Sequence, residues 1–181
     1  MLCVENFKQS LLEEPEYEDV LITKEVAEEN IDDNTLLVVV DPHKITYVES
    51  EEVLKKANKI VIIDHHRRSE DYIENATLTF QEVYASSAAE LVTELVQYAE
   101  TNVELKKVEA ESLYAGIMMD TKSFTFKTGV RTFEAAAYLR KCGVDIIRVK
   151  KWFQSDLESF NKIAEIVKSA EIVNDTIAIA M

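Results

Sequence analysis

Two short aliphatic runs, Leu36–Val40 and Lys59–Ile63, each end in an aspartate, and this pairing constrains the fold more than any other feature of the sequence. Neither run alternates apolar with polar residues, so both predict strands covered on both faces, as in a buried parallel sheet. Residues 50–58 between them have the pattern of a helix. Strand, helix and strand within about 28 residues is the signature of a right-handed βαβ unit. The runs stop at Asp41-Pro42 and at Asp64-His65-His66. Ligands of open α/β sheets bind beyond the carboxyl ends of the strands, which is where both aspartates fall.

The remaining pattern fills out the same class. Residues 5–14 and 23–31 read as helices with acidic faces, and residues 78–84 alternate like a further strand. Ser87-Ala88-Ala89-Glu90 has the spacing of a capping box and predicts a helix to about residue 100. A helix over 106–119 carries an apolar stripe at Ala110, Leu113, Tyr114 and Ile117, and another spans 131–141. Ser155-Asp156-Leu157-Glu158 opens a last helix with Leu157, Phe160, Ala164 and Val167 on one face. The tail, 172–181, reads as a hairpin that is cut off. The predicted fold is α/β, a parallel sheet flanked by helices and followed by a linker helix and that hairpin.

Composition excludes several functions. With 181 residues and 47% hydrophobic content, the chain suits one globular domain. A net charge of −14 argues against a general nucleic-acid coat, a duplex-binding protein or a membrane-surface protein. No apolar run approaches the ~20 residues that cross a bilayer, and no signal-peptide pattern opens the chain. Cys3 and Cys142 make no disulfide framework, so a reducing, cytoplasmic setting is expected. The charge is uneven: residues 1–33 are strongly acidic, whereas 122–151 gather Lys122, Lys127, Arg131, Arg140, Lys141, Arg148, Lys150 and Lys151. Two solvated faces of opposite sign explain this, as does a basic stretch facing an anionic substrate.

Neighbouring strands lie ~4.8 Å apart, so adjacency would bring Asp41 into one small volume with Asp64, His65 and His66. Carboxylates that close repel, and burying one unpaired is costly. A divalent cation resolves both problems, and a carboxylate–imidazole set suits Mn²⁺, Mg²⁺ or Fe²⁺ better than a thiolate-rich zinc site does. Asp120 follows Ile117 by three residues, continues the apolar stripe of its helix, and so needs a partner. It is either a further ligand or a helix-end residue turned to solvent. Arg67 and Arg68 could hold a phosphate bidentately or form a solvated loop pair. His43 is either a structural turn residue or a substrate contact. Ser86 and Ser87 are helix caps at an N-terminus that also attracts phosphate.

These residues resemble the DHH phosphoesterase family. Its namesake motif stands at Asp64-His65-His66 after an apolar strand, Asp41 after Leu36–Val40 resembles the preceding aspartate motif, and Gly116-Ile117-Met118-Met119-Asp120-Thr121 resembles a later one. Within the family the chain is most similar to the branch that hydrolyses cyclic di-AMP in Gram-positive bacteria. The stretches Val40–Lys44, Ile63–Arg68, Tyr84–Val92, Asp120–Phe124 and Arg131–Ala136 carry that likeness. The resemblance implies a site for two Mn²⁺ ions, with Mg or Fe as substitutes. Asp41 would bridge both, His65 and Asp120 would bind one, and Asp64 and His66 would act catalytically by orienting ligands or touching the scissile phosphate. It implies a cyclic dinucleotide or short oligonucleotide substrate, linear pApA as product and a possible homodimer, in the cytoplasmic domain of a membrane-anchored protein. Oligoribonuclease, 3′-phosphoadenosine-phosphate phosphatase and pyrophosphatase chemistry are alternatives, as is a non-catalytic nucleotide-binding or assembly module.

Three departures from the family pattern qualify these expectations. The first Asp-His-Asp motif and the later Gly-Gly-Gly-His motif have no counterpart, and Pro42 stands where threonine is usual. Residues 1–153 are therefore expected to be a partial DHH domain, and 154–181 the linker helix and the start of a substrate-binding domain. Weak metal binding and little or no turnover are expected of the chain alone.

Overall fold

A computed structural model describes residues 20–101, 103–154, 157–174 and 176–180. The first helix, α1 (Lys24–Asn30), is capped by Thr23, whose hydroxyl accepts the Val26 N–H. Strand β1 (Leu36–Val40) follows, then a 3₁₀ turn at Ile45–Tyr47 and the short helix α2 (Glu51–Lys56), capped by Ser50. Strand β2 (Lys59–Asp64) runs parallel to β1 with Val40 opposite Ile63, which sets the two terminal aspartates side by side. Strand β3 (Leu78–Gln81) pairs parallel with the other edge of β2, giving the order β1-β2-β3. The predicted βαβ unit and parallel sheet are therefore present.

Cover on both faces holds for β2 and fails for β1. Along β2, Ile60 and Ile62 pack on one side with Val39, Leu54, Ala57 and Ile73. Ile63 packs on the other with Ala85 and with Leu91 of α3 (Ala88–Gln97). On β1 only Leu37 and Val39 turn toward the first of these clusters, and Leu36, Val38 and Val40 stay 55%, 45% and 43% exposed. The physical reason is position: β1 is an edge strand, and α3 lies over β2 rather than over it.

Helix α4 (Lys107–Asp120) buries Ala110, Tyr114 and Ile117 as its periodicity predicts, against Ala135 and Leu139 of α5 (Val130–Lys141). Gly116 permits the close packing of α4 on α3, since a Cβ there would sit 2.8 Å from the Ala89 Cβ. That contact fixes how far the end of α4 reaches toward the sheet. A helix absent from the sequence reading, α6 (Ile146–Trp152), completes the cluster with Val149 and Trp152; its signal was Asp145, whose carboxylate caps Ile147 and Arg148. The strand expected over 78–84 stops at Gln81 because a turn closes from Ala85 N–H to Glu82 C=O, and the helix expected to residue 100 stops at Gln97.

Helix α7 (Leu157–Ser169) carries the expected apolar residues, yet Leu157, Phe160 and Val167 are 74%, 63% and 68% exposed. Strands β4 (Glu171–Val173) and β5 (Ile177–Ile179) form the expected antiparallel hairpin, exposed throughout. The helix predicted over 5–14 and the cap predicted at Ser155-Asp156 lie outside the described residues. No described helix is long and apolar enough to cross a membrane.

Candidate metal centre

Asp41 leaves β1 with φ = 81°, a left-handed conformation that costs a non-glycine residue energy. Its N–H still donates to the Ile63 carbonyl at 2.9 Å, so the strand ladder holds the strained residue in place. The turn brings Asp41 Oδ1 within 3.4 Å of His65 Nε2, and the same nitrogen lies 3.8 Å from Oδ2 of Asp120. Donor atoms of Asp41, His65 and His66 all lie within 4.8 Å of one another. Asp120 is the last residue of α4, and Thr121 fastens that end: its hydroxyl donates to the Ile117 carbonyl and accepts the Phe124 N–H. Lys122, Ser123 and Phe124 then take left-handed φ values of 46°, 58° and 65°, turning the chain sharply away.

The electrostatics of these three groups are coupled. The hydrogen bond from His65 holds the Asp41 carboxyl below its usual range, against the opposing effect of burial. The same bond raises the imidazole of His65, while burial lowers it and the charge of Asp120 raises it further. Burial raises Asp120; His65 counters this, and repulsion from Asp41 adds to it. Two solvent-accessible carboxylates thus share one buried imidazole. The donor set, all oxygen and nitrogen, fits a divalent ion of the Mn²⁺ or Mg²⁺ kind, and such an ion relieves the repulsion that the single histidine only partly offsets.

Asp64 has a different role. It is fully buried, and one carboxylate oxygen accepts from His43 Nδ1. The other accepts the His66 backbone N–H at 3.0 Å and the His66 Nδ1–H at 2.7 Å. The Ser69 N–H donates to His43 Nε2 at 3.1 Å, so the network assigns the proton of His43 to Nδ1. By the same logic His66 carries its proton on Nδ1 and keeps the lone pair of Nε2 outward, on a side chain that is half exposed. Asp64 therefore sets the tautomer of two histidines, and both of its oxygens are engaged in doing so.

The remaining predicted residues separate. Both ring nitrogens of buried His43 are engaged, by Asp64 and by Ser69. Ser86 and Ser87 are buried: Ser87 Oγ accepts the Glu90 N–H, and the Glu90 carboxylate accepts the Ser86 N–H and hydroxyl. Their hydroxyls serve the start of α3. Arg67 lines a cleft of about 630 Å³ together with Asp41, His43, Lys44, Tyr47 and His66. Arg68 instead lies over the ring of Tyr72, 3.6 Å from its centroid. Tyr47 and Ser69 were not singled out by the sequence, because no motif marks a loop residue that folding carries to a site.

The three arginines of the basic stretch are engaged within the chain. Arg131 pairs bidentately with Glu94 at 2.7 and 2.6 Å, Arg148 lies 3.3 Å from buried Glu111, and Arg140 donates to the Val144 carbonyl. Lys127 is close enough to lower Asp120.

Both the sequence and the fold have known relatives. The sequence model described as "DHH family, N-terminal domain" matches residues 1–117. The chain is 45% identical over 176 residues to the cyclic-di-AMP phosphodiesterase PdeA of Listeria monocytogenes, covering 96% of this chain and 27% of that protein. It is 46% identical over 159 residues to the cyclic-di-AMP phosphodiesterase GdpP of Bacillus subtilis, covering 88% of this chain and 24% of that protein. It thus spans about a quarter of the length of these curated relatives. A crystal structure of an exopolyphosphatase-related protein from Bacteroides fragilis shares the fold, with a TM-score of 0.75 at 20% identity over 88% of this chain and 46% of the other.

Proposed function

This chain belongs to the DHH family, and from that premise we propose that it is part of the catalytic domain of a metal-dependent phosphodiesterase that opens cyclic di-AMP to linear pApA. The observation that carries the reading is the convergence of Asp41, His65 and Asp120 beyond the ends of adjacent parallel strands. The identity to two proteins named as cyclic-di-AMP phosphodiesterases supports the substrate.

Asp41, His65 and Asp120 would hold divalent ions, Mn²⁺ in the first instance. When bound, such ions supply Lewis acidity at the phosphoryl oxygens and lower the pKa of an attacking water. The chain's own residues do the rest. Asp64 holds the His66 ring through Nδ1 at the wall of the cleft, which leaves Nε2 as the nitrogen that would serve an ion or the scissile phosphate. Arg67, at the cleft wall, pairs with a phosphate oxygen. His43 acts from beneath, tying Asp64 to the loop at Ser69. Residues 1–153 form the metal-binding part, and the exposed helix α7 with its hairpin begins the part that contacts the remainder of the substrate.

The test is hydrolysis of cyclic di-AMP with Mn²⁺ by the full-length protein that contains this chain. Pyrophosphate, 3′-phosphoadenosine 5′-phosphate and short oligoribonucleotides serve as competing substrates. Linear pApA should form, and Asp41→Ala should abolish it. A protein that leaves cyclic di-AMP intact while hydrolysing one of the competitors would sink the assignment.

A further inference from the structure

We infer that the cleft beside Asp41 and His66 receives a nucleobase, with the exposed ring of Tyr47 as its stacking surface. The inference rests on the phosphodiester reading of the same site and adds the class of group next to the phosphate. The cleft, about 630 Å³, falls in the size range of small-ligand sites. Asp41 and His66 mark its phosphate-facing wall, and Lys44 and Arg67 add positive charge. Tyr47 also lines it, and is 69% exposed.

That ring stands on a fixed base. Ile73 N–H donates to the His43 carbonyl at 3.0 Å, Ile45 N–H donates to the Asp71 carbonyl at 3.4 Å, and Lys44 forms an antiparallel bridge with Tyr72. The turn Ile45–Tyr47 is therefore tied to the segment that follows the two arginines. Two tyrosines of this region contrast. The ring of Tyr72 is covered by the Arg68 guanidinium at 3.6 Å, whereas the cation nearest the ring of Tyr47 among the described residues is the Lys44 ammonium, 5.4 Å from its centroid. A substrate made of phosphate alone gains nothing from an open aromatic face, and a nucleotide does, because every base has a π-face. The geometry thus favours nucleoside phosphates over pyrophosphate or polyphosphate.

Isothermal titration of the 181-residue chain with AMP and with ribose 5-phosphate, in Mn²⁺ buffer, isolates the base. AMP should bind about tenfold more tightly than ribose 5-phosphate. Tyr47→Ala should erase that difference while leaving ribose 5-phosphate binding unchanged, and Tyr47→Phe should restore it. Because Tyr47 is exposed, the melting temperature of each variant should match the parent. Equal affinity of the parent for both ligands, or a preference for AMP that survives Tyr47→Ala, overturns the inference and leaves the metal-centre reading standing. Failure of the parent to bind either ligand also overturns the inference, and hydrolysis by the full-length protein decides the metal-centre reading separately.

Discussion

Asp41 and Asp64 stand side by side at the ends of adjacent parallel strands and do different work. Asp41 follows an edge strand, is exposed, adopts a strained backbone and turns its carboxylate to a shared cluster with His65 and Asp120. Asp64 ends the central strand, is fully buried, and has both oxygens engaged by His43 and His66. The difference teaches that a carboxylate's role follows from what already satisfies it. An acid with spare lone pairs at a rim can receive a cation, whereas an acid whose oxygens are fully bonded can only orient its neighbours.

The contrast can be broken most directly at Asp41. Asp41→Gly should reduce Mn²⁺ affinity by more than about 100-fold, since it removes a direct ligand rather than a supporting group. Folding stability should hold steady or rise by up to about 1 kcal/mol, because glycine adopts positive φ without strain. Titration calorimetry and urea unfolding read the two effects separately, and parallel loss of both would contradict the division of roles.

Asp64→Ala should do the reverse mixture. Metal affinity should fall about 10–100-fold through misoriented histidines, and stability should drop by about 3 kcal/mol because buried donors of His43 and His66 lose a charged acceptor. A variant as stable as the parent would show that the network is not structural.

The strands themselves offer a smaller test. Ile62→Ala, in the central strand at 2% exposure, should cost about 3 kcal/mol. Val38→Ala, at 45% exposure on the edge strand, should cost less than about 1 kcal/mol. Equal losses in chemical unfolding would mean that β1 is covered in solution.

The smallest effect is a dependence on pH in metal-free protein. The folded pKa of His65 is raised above its ordinary 6.5, so its bond to Asp41 stabilises the fold below that value and is lost as pH rises through the folded pKa. Asp41, lowered from 3.8, contributes above that value and is lost as pH falls. Melting temperature should therefore decline on the alkaline side of the imidazole range, and Asp41→Asn should flatten the decline. A parent profile without that slope would mean that the pair is not formed in the absence of metal.

Much of this was legible in the sequence because short-range rules govern it. The apolar runs named β1 and β2, the 3.6-residue stripe named α4, and Ser87 with Glu90 named the start of α3. The site residues were legible as a set because strand ends in a parallel sheet are where ligands collect. Their division was not, since adjacent residues on a strand point to opposite faces: Asp64 continues the Ile60–Ile62 side and His65 the other. Which face meets His43 and which meets Asp120 depends on chain segments 21 residues before Asp64 and 55 after His65.

By itself the sequence determined the parallel α/β core, the clustering of acidic and imidazole groups at its strand ends, and the family that carries those motifs. Only the tertiary structure decided that β1 is half bare, that Asp64 holds two histidine tautomers, and that Tyr47 stands open beside the cluster. Hydrophobic periodicity is a property of neighbours along the chain. Exposure and hydrogen-bond partners are properties of neighbours in space, and those are set only when distant segments pack.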